Sequence, residues 1–277
     1  MLTISGLFIY PIKSLGGIQL GQAEVTDRGF KYDRRWMLID ENNQFLTQRT
    51  YPKMALFKLE LSVDGLWVMH PEWGKIKIPF DLVNAQQEEV VIWDDTCQAV
   101  SVSREVDAWF SEALGFACKL VYMPDSTERE VDQRYAPKGM ITSFSDAYPF
   151  LMIGQASLDD LNSRLEIALP IDRFRPNILF TGGTPFEEDR MHRIRIGEHV
   201  YFSGVKLCAR CVMTTIDQQN AEKSKEPLKT LATYRSKDRK ILFGQNLIHH
   251  GRGMIRLGDH LEVLSTHVEE RFIVGNK

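Results

Sequence analysis

Six short runs rich in β-branched and aromatic residues fall within the first hundred positions: 2–10, 36–39, 56–63, 66–69, 75–78 and 90–93. Turn signals separate them, among them Asp64-Gly65, Pro71, Trp73-Gly74 and Asp94-Asp95. Many short strands at such spacing predict a small barrel or sandwich. A helix is expected next, over 103–114, where Val106, Trp109, Phe110, Ala113 and Leu114 share one face and Gly115 sits at the C-terminal cap.

The second half mixes strand with helix. Residues 157–167 put Leu158, Leu161 and Leu165 on one helical face, with Ser157 as the expected N-cap and Pro170 beyond the end. Residues 177–180 read as a buried strand, 194–205 as a hairpin about Gly197-Glu198, and Pro227 as an early position of a short helix. The charged string Glu187-Glu188-Asp189-Arg190 reads as a solvated turn, and His249-His250 as loop rather than ligand. The polar stretch 124–138 marks the join, dividing the chain into a domain over 1–123 and a second over 124–270.

At 277 residues and 43% hydrophobic, the chain can bury a substantial core. A net charge of −3 gives no global attraction to nucleic acid, so none is expected as a partner. Pro11 and Lys13 interrupt the apolar start, and no apolar stretch reaches membrane length, so a cytoplasmic protein with no membrane partner is expected. The four cysteines, Cys97, Cys118, Cys208 and Cys211, lack the spacing of a four-ligand zinc site or a plant-type iron–sulfur cluster.

Four segments bring chemistry-bearing side chains together. Cys208-Ala209-Arg210-Cys211 is followed by Thr214, Thr215 and Asp217. A guanidinium beside thiols favours thiolate, and hence metal ligation or nucleophilic attack. The plain alternative is a pair of small core residues. In Arg173-Phe174-Arg175-Pro176-Asn177, proline pushes Arg175 toward an extended backbone, and Arg175 with Asn177 can offer planar donors to a phosphate or a pterin edge. Structural salt-bridging explains the same arginines equally simply. Lys13-Ser14, ahead of Gly16-Gly17, can hold an anion through ammonium, hydroxyl and free backbone N–H groups, or be a plain strand–turn. Tyr32-Asp33-Arg34-Arg35-Trp36 and Thr47-Gln48-Arg49 form the fourth group and read plainly as a charged strand–turn–strand face.

Taken in order, these segments resemble the MOSC-domain proteins that carry an N-terminal β-barrel partner domain, and within them the amidoxime-reducing components. Tyr10-Pro11-Ile12-Lys13-Ser14, Asp33-Arg34-Arg35-Trp36, Thr47-Gln48-Arg49, Ser145-Asp146-Ala147-Tyr148-Pro149-Phe150, Phe174-Arg175-Pro176-Asn177 and Cys208 to Asp217 carry the likeness, with weaker matches at 157–162, 226–231 and 243–246. The resemblance implies a mainly β fold with some α, the N-terminal β-barrel-like domain packed on a MOSC-type domain and the site in the cleft between them. It implies the molybdenum cofactor, with Cys211 and not Cys208 as catalytic metal ligand. It gives Lys13, Ser14, Arg34, Ser145, Asp146, Arg175, Asn177 and Arg210 as cofactor contacts. The implied function is reduction of N-hydroxylated small molecules with electrons from a separate iron–sulfur, haem or flavin protein. The alternative is a non-catalytic carrier of the cofactor or of sulfur. Asp146 and Asp217 are candidates for proton delivery. Relatives often carry tryptophan after the acidic string, where this chain has Arg190-Met191. The C-terminal iron–sulfur domain and the N-terminal anchor of some relatives are likewise not expected here.

Overall fold

The structure is a computed structural model and describes residues 1–269. Strands hold 42% of the described residues and helices 15%, so the expected mainly β class holds. Seven strands close on themselves in the order 150–154, 178–181, 2–9, 260–266, 191–196, 200–209 and 240–250, with the last pairing back to the first. Closure leaves no free edge among these seven. Among these seven strands the pair 150–154 with 178–181 is parallel and requires a crossover, and helix α2 (Gln155–Asn162) supplies it.

Phe150-Leu151-Met152-Ile153 is buried on both faces. Phe150 and Met152 fill the lumen with Ile4, Leu7, Ile178, Phe180, Ile194 and Phe202. Leu151 and Ile153 face outward onto Leu158 and Leu161 of α2, Phe174, Phe243, and Leu231 of helix α3 (Leu228–Ala232). An uninterrupted apolar run is what a doubly covered strand needs.

The first half adds a four-stranded sheet (36–39, 119–122, 95–101, 87–92) and a three-stranded meander (58–61, 65–70, 74–79). Helix α1 (Arg104–Leu114) shares a core with the meander through Val106 and Phe110. Its cap is the expected one: Ser103 accepts from the Val106 N–H, and Gly115 adopts φ 81°. The halves interlace. Strand 2–9 sits inside the barrel, and strand 253–256 pairs with 22–26 of the first half.

Several local expectations are corrected. Ser157 does not cap α2, which starts two residues earlier. Its buried hydroxyl donates to Glu188 at 2.8 Å and accepts from the Phe186 N–H at 2.8 Å. The string 187–190 is a 3-10 turn, yet Glu188 and Asp189 are buried, because Ser157, the Gly154 N–H and Arg235 receive their charges. His249 and His250 end a strand rather than lie in a loop, and His249 is buried against Phe150.

Candidate functional site

The chemistry-bearing segments gather beside strand 150–154, whose outward-facing Leu151 also lines their cavity. Lys13 and Ser14 follow strand 2–9, and Arg34 lies on the turn before strand 36–39. Ser145 and Asp146 precede strand 150–154, Arg175 and Asn177 precede strand 178–181, and Arg210 and Cys211 follow strand 200–209. All nine line a single cavity of about 250 Å³, to which both halves contribute.

The cysteine turn is built by its own hydroxyls. Cys211 is extended and caps the 3-10 turn Val212–Thr215. The Thr214 hydroxyl donates to the Cys211 carbonyl and the Thr215 hydroxyl to the Val212 carbonyl, so both serve the backbone. Arg173 pins the turn from outside, donating to the Thr214 carbonyl at 3.0 Å and pairing with Asp217 at 3.1 Å. Asp217 therefore lies off the cavity wall. The two thiols differ in surroundings. Arg210 donates to Cys208 Sγ at 3.1 Å and to the Phe174 carbonyl at 2.7 Å. Cys211 is half-buried and lines the cavity, as Cys208 also does.

The cationic wall is assembled around Tyr10. The Arg34 and Arg175 guanidinium carbons lie 4.4 and 4.1 Å from the centre of its buried ring. The negative ring face offsets part of the repulsion between them. Gly17 makes room, since a Cβ there would stand 2.5 Å from the Tyr10 ring. Asp33 accepts from Arg34 at 2.6 Å and from the Tyr10 N–H at 2.7 Å, and Asn177 accepts from Arg34 at 3.2 Å. Arg175 is 8% exposed and donates to the Leu15 carbonyl at 2.6 Å. Burial, with the like charge of Arg34, pulls its pKa down to about 10.

Arg175 is not extended: its φ is 55°, and Ser14 and Arg34 are also left-handed, at 66° and 48°. Proline disfavours the right-handed helical region for its predecessor, and the stacking on Tyr10 coincides with the left-handed alternative. Nor is the Gly16 N–H free for an anion. The Gly16 N–H donates to the Phe57 carbonyl at 3.0 Å.

Lys13 is buried and donates to the Phe144 carbonyl at 2.8 Å and to Asp146 at 2.5 Å. Burial lowers its pKa to about 8, against the pull of Asp146. The cavity walls desolvate Asp146, which raises its pKa. The Lys13 ammonium more than reverses this and holds the carboxyl below its ordinary range. Asp146 is thus ionised at neutral pH and accepts from Lys13. Buried Arg129 fixes this loop through the Ser143 and Ser145 carbonyls. Arg49, Arg173 and Lys206 also line the cavity. Of these, Arg49 and Arg173 sit in segments that stood out in the sequence, Thr47-Gln48-Arg49 and 173–177, but no cofactor role attached to either.

The profile of the MOSC N-terminal beta barrel domain matches residues 1–117, and that of the MOSC domain residues 140–262. Mitochondrial amidoxime-reducing component 1 of Mus musculus is 32% identical over 286 residues, covering 95% of this chain and 82% of that protein. The chain belongs to the MOSC-domain family. The Homo sapiens component 1 is similar at 31% identity, covering 95% of this chain and 83% of its own. The molybdenum cofactor sulfurase of Oryza sativa subsp. japonica is 34% identical over 263 residues, and this chain spans 32% of its length. Membership of the MOSC family points to molybdenum cofactor binding. No helix among the described residues is long and apolar enough to cross a membrane.

Proposed function

We propose that this chain is a molybdenum-cofactor-dependent reductase of N-hydroxylated compounds (amidoximes, hydroxylamines and N-hydroxylated bases), with Cys211 as the protein ligand to molybdenum. One observation carries the reading: a half-buried thiol and seven cationic side chains share one cavity, in a chain that aligns with 82% of an amidoxime-reducing component. The donor set fits such a cofactor. A thiolate suits a thiophilic metal, and among the described residues no three His, Cys, Asp or Glu side chains gather to hold a metal unaided. Lys13, Ser14, Arg34 and Arg175 would hold the phosphate end through charge-assisted hydrogen bonds. Ser145, Asp146, Asn177 and Arg210 line the rest of the cradle.

When bound, the cofactor would supply two-electron redox chemistry. Overall, the substrate N–O bond breaks, two electrons and two protons are consumed, and the oxygen leaves as water. The electrons come from a separate carrier protein of iron–sulfur, haem or flavin type. The chain's own part is to present Cys211 on a rigid turn, keep Arg210 engaged with Cys208, and keep the phosphate-binding cations charged.

Protein from a cofactor-competent host should contain molybdenum and pterin and reduce an amidoxime with a reduced viologen as electron source. Cys211→Ser should lose that activity, since a hydroxyl replaces a soft thiolate poorly, whereas Cys208→Ser should keep a measurable part. Equal loss in two folded variants would point to a paired-thiol mechanism instead. The similarity to a sulfurase favours one other reading, a non-catalytic carrier of the cofactor or its sulfur. Full molybdenum loading with no reduction of any N-hydroxylated compound would decide for it.

A further inference from the structure

Seven cations line the cavity (Lys13, Arg34, Arg49, Arg173, Arg175, Lys206 and Arg210) against one carboxylate, Asp146. Three are matched by ion pairs: Lys13 with Asp146, Arg34 with Asp33, and Arg173 with Asp217. Arg175 and Arg210 are held by backbone carbonyls deep in the wall. Arg49 and Lys206 remain, both half-buried and neither within ion-pair distance of a carboxylate among the described residues. The acid acting on Arg49 is Asp146, already held by Lys13. The acid acting on Lys206 is Asp132, held by Arg134 at 2.7 Å.

Each of the two lies over an exposed aromatic ring. The Arg49 guanidinium carbon is 4.1 Å from the centre of Trp93, and the Lys206 ammonium is 4.5 Å from that of Tyr135. Both rings are 42% exposed. A long cationic side chain laid on a ring has lost much of its rotamer freedom before a ligand arrives, so an anion binding there orders less. The buried cations Lys13 and Arg175, 4% and 8% exposed, form the floor. Arg49 and Lys206 are more open than these two.

We propose that Arg49 and Lys206 form an anion subsite for the part of the substrate remote from its N–O bond. The preferred substrate is then an N-hydroxylated base carrying a phosphate monoester, a nucleotide rather than the neutral nucleoside. This rests on the reductase reading. A monoester is close to a dianion at neutral pH and accepts charge-assisted hydrogen bonds from guanidinium and ammonium groups far more strongly than an uncharged sugar hydroxyl does. Remote binding energy of this kind appears in kcat/KM.

The test compares N-hydroxycytidine with N-hydroxycytidine monophosphate on cofactor-loaded protein, with a reduced viologen as electron source. The monophosphate should have the higher kcat/KM by about tenfold at low salt, carried mainly in KM, and the ratio should shrink as ionic strength rises. Arg49→Ala and Lys206→Ala should each lower that ratio, the double variant should bring it near one, and Arg49→Lys with Lys206→Arg should restore most of it. Unreactive cytidine monophosphate should likewise bind the wild type more tightly than cytidine does, and lose that advantage in the double variant. Equal kcat/KM for the two compounds, or a preference that survives the double substitution, overturns this subsite and leaves the reductase reading standing. Failure to reduce either compound or an amidoxime overturns the reductase reading and this substrate assignment with it.

Discussion

Ser14, Arg34 and Arg175 hold left-handed backbone without being glycine, and all three face the same cavity. Each such residue costs on the order of 1–3 kcal/mol and persists only where its surroundings over-determine it. Here the surroundings are the Tyr10 ring, Asp33 and the Leu15 carbonyl, which keep charge aimed at one place. Arg175→Ala should therefore give folded protein with little molybdenum, because losing a desolvated phosphate contact costs about 2–4 kcal/mol of cofactor affinity. Full metal occupancy in a folded variant would remove Arg175 from the cradle. Lys13 adds a pH signature. With a pKa lowered to about 8 by burial, it is charged below that pH and neutral above. Binding of inorganic pyrophosphate to cofactor-free protein should weaken as pH rises through about 8 and beyond, a bound anion shifting the midpoint upward, and Lys13→Arg should abolish the inflection. Motif residues such as Lys13, Arg34 and Cys211 were legible because their residue types and order are unusual. Lys206 was not, since a lone basic residue in a strand reads as solvated until its surroundings are known.

Elements follow the same division between local and distant causes. Helix α1 was legible throughout because Ser103, the apolar face and Gly115 all act within one helix length. Helix α2 was misplaced because the sequence offers Ser157 as a cap, and only the fold brings Glu188 to its hydroxyl. Glu188 is fully buried, and burial together with the neighbouring Asp189 charge raises its pKa to about 7. Because the folded value lies above the ordinary one, protonated Glu188 favours the fold below about pH 4.5, and that contribution is lost as pH rises through about 7. Its hydrogen bonds act against this penalty. Glu188→Ala should strand the Gly154 N–H and the Ser157 hydroxyl and cost about 1–3 kcal/mol in urea denaturation at neutral pH. A variant as stable as the wild type would mean that water or a shifted side chain takes over both partners.

At the scale of the molecule, the barrel cannot close without its first strand. Residues 2–9 pair with 178–181 on one side and 260–266 on the other, and 253–256 pairs back with 22–26. These pairings join the two ends of the chain, so no local pattern reveals them, and the polar stretch 124–138 was the visible boundary instead. Even that stretch is tied down: Arg28 donates to the carbonyls of Asp125 and Thr127, and Thr127, Arg129 and Val131 are buried. Two opposite outcomes follow for a cut and for a truncation. Residues 124–277 expressed alone would expose the edges of 178–181 and 260–266 and open a lumen lined by Ile178, Phe180 and Leu261. Such edges invite aggregation. That fragment should lack a cooperative thermal transition and elute as aggregate, and co-expression with 1–123 should rescue it. A protease site placed in the exposed turn 137–139 of the intact protein should, after cleavage, leave two pieces that co-elute and melt together. The strand pairings that span the cut do not depend on that peptide bond. Should residues 124–277 instead melt cooperatively as a monomer by themselves, strand 2–9 would be an accessory to the barrel and not its closing member.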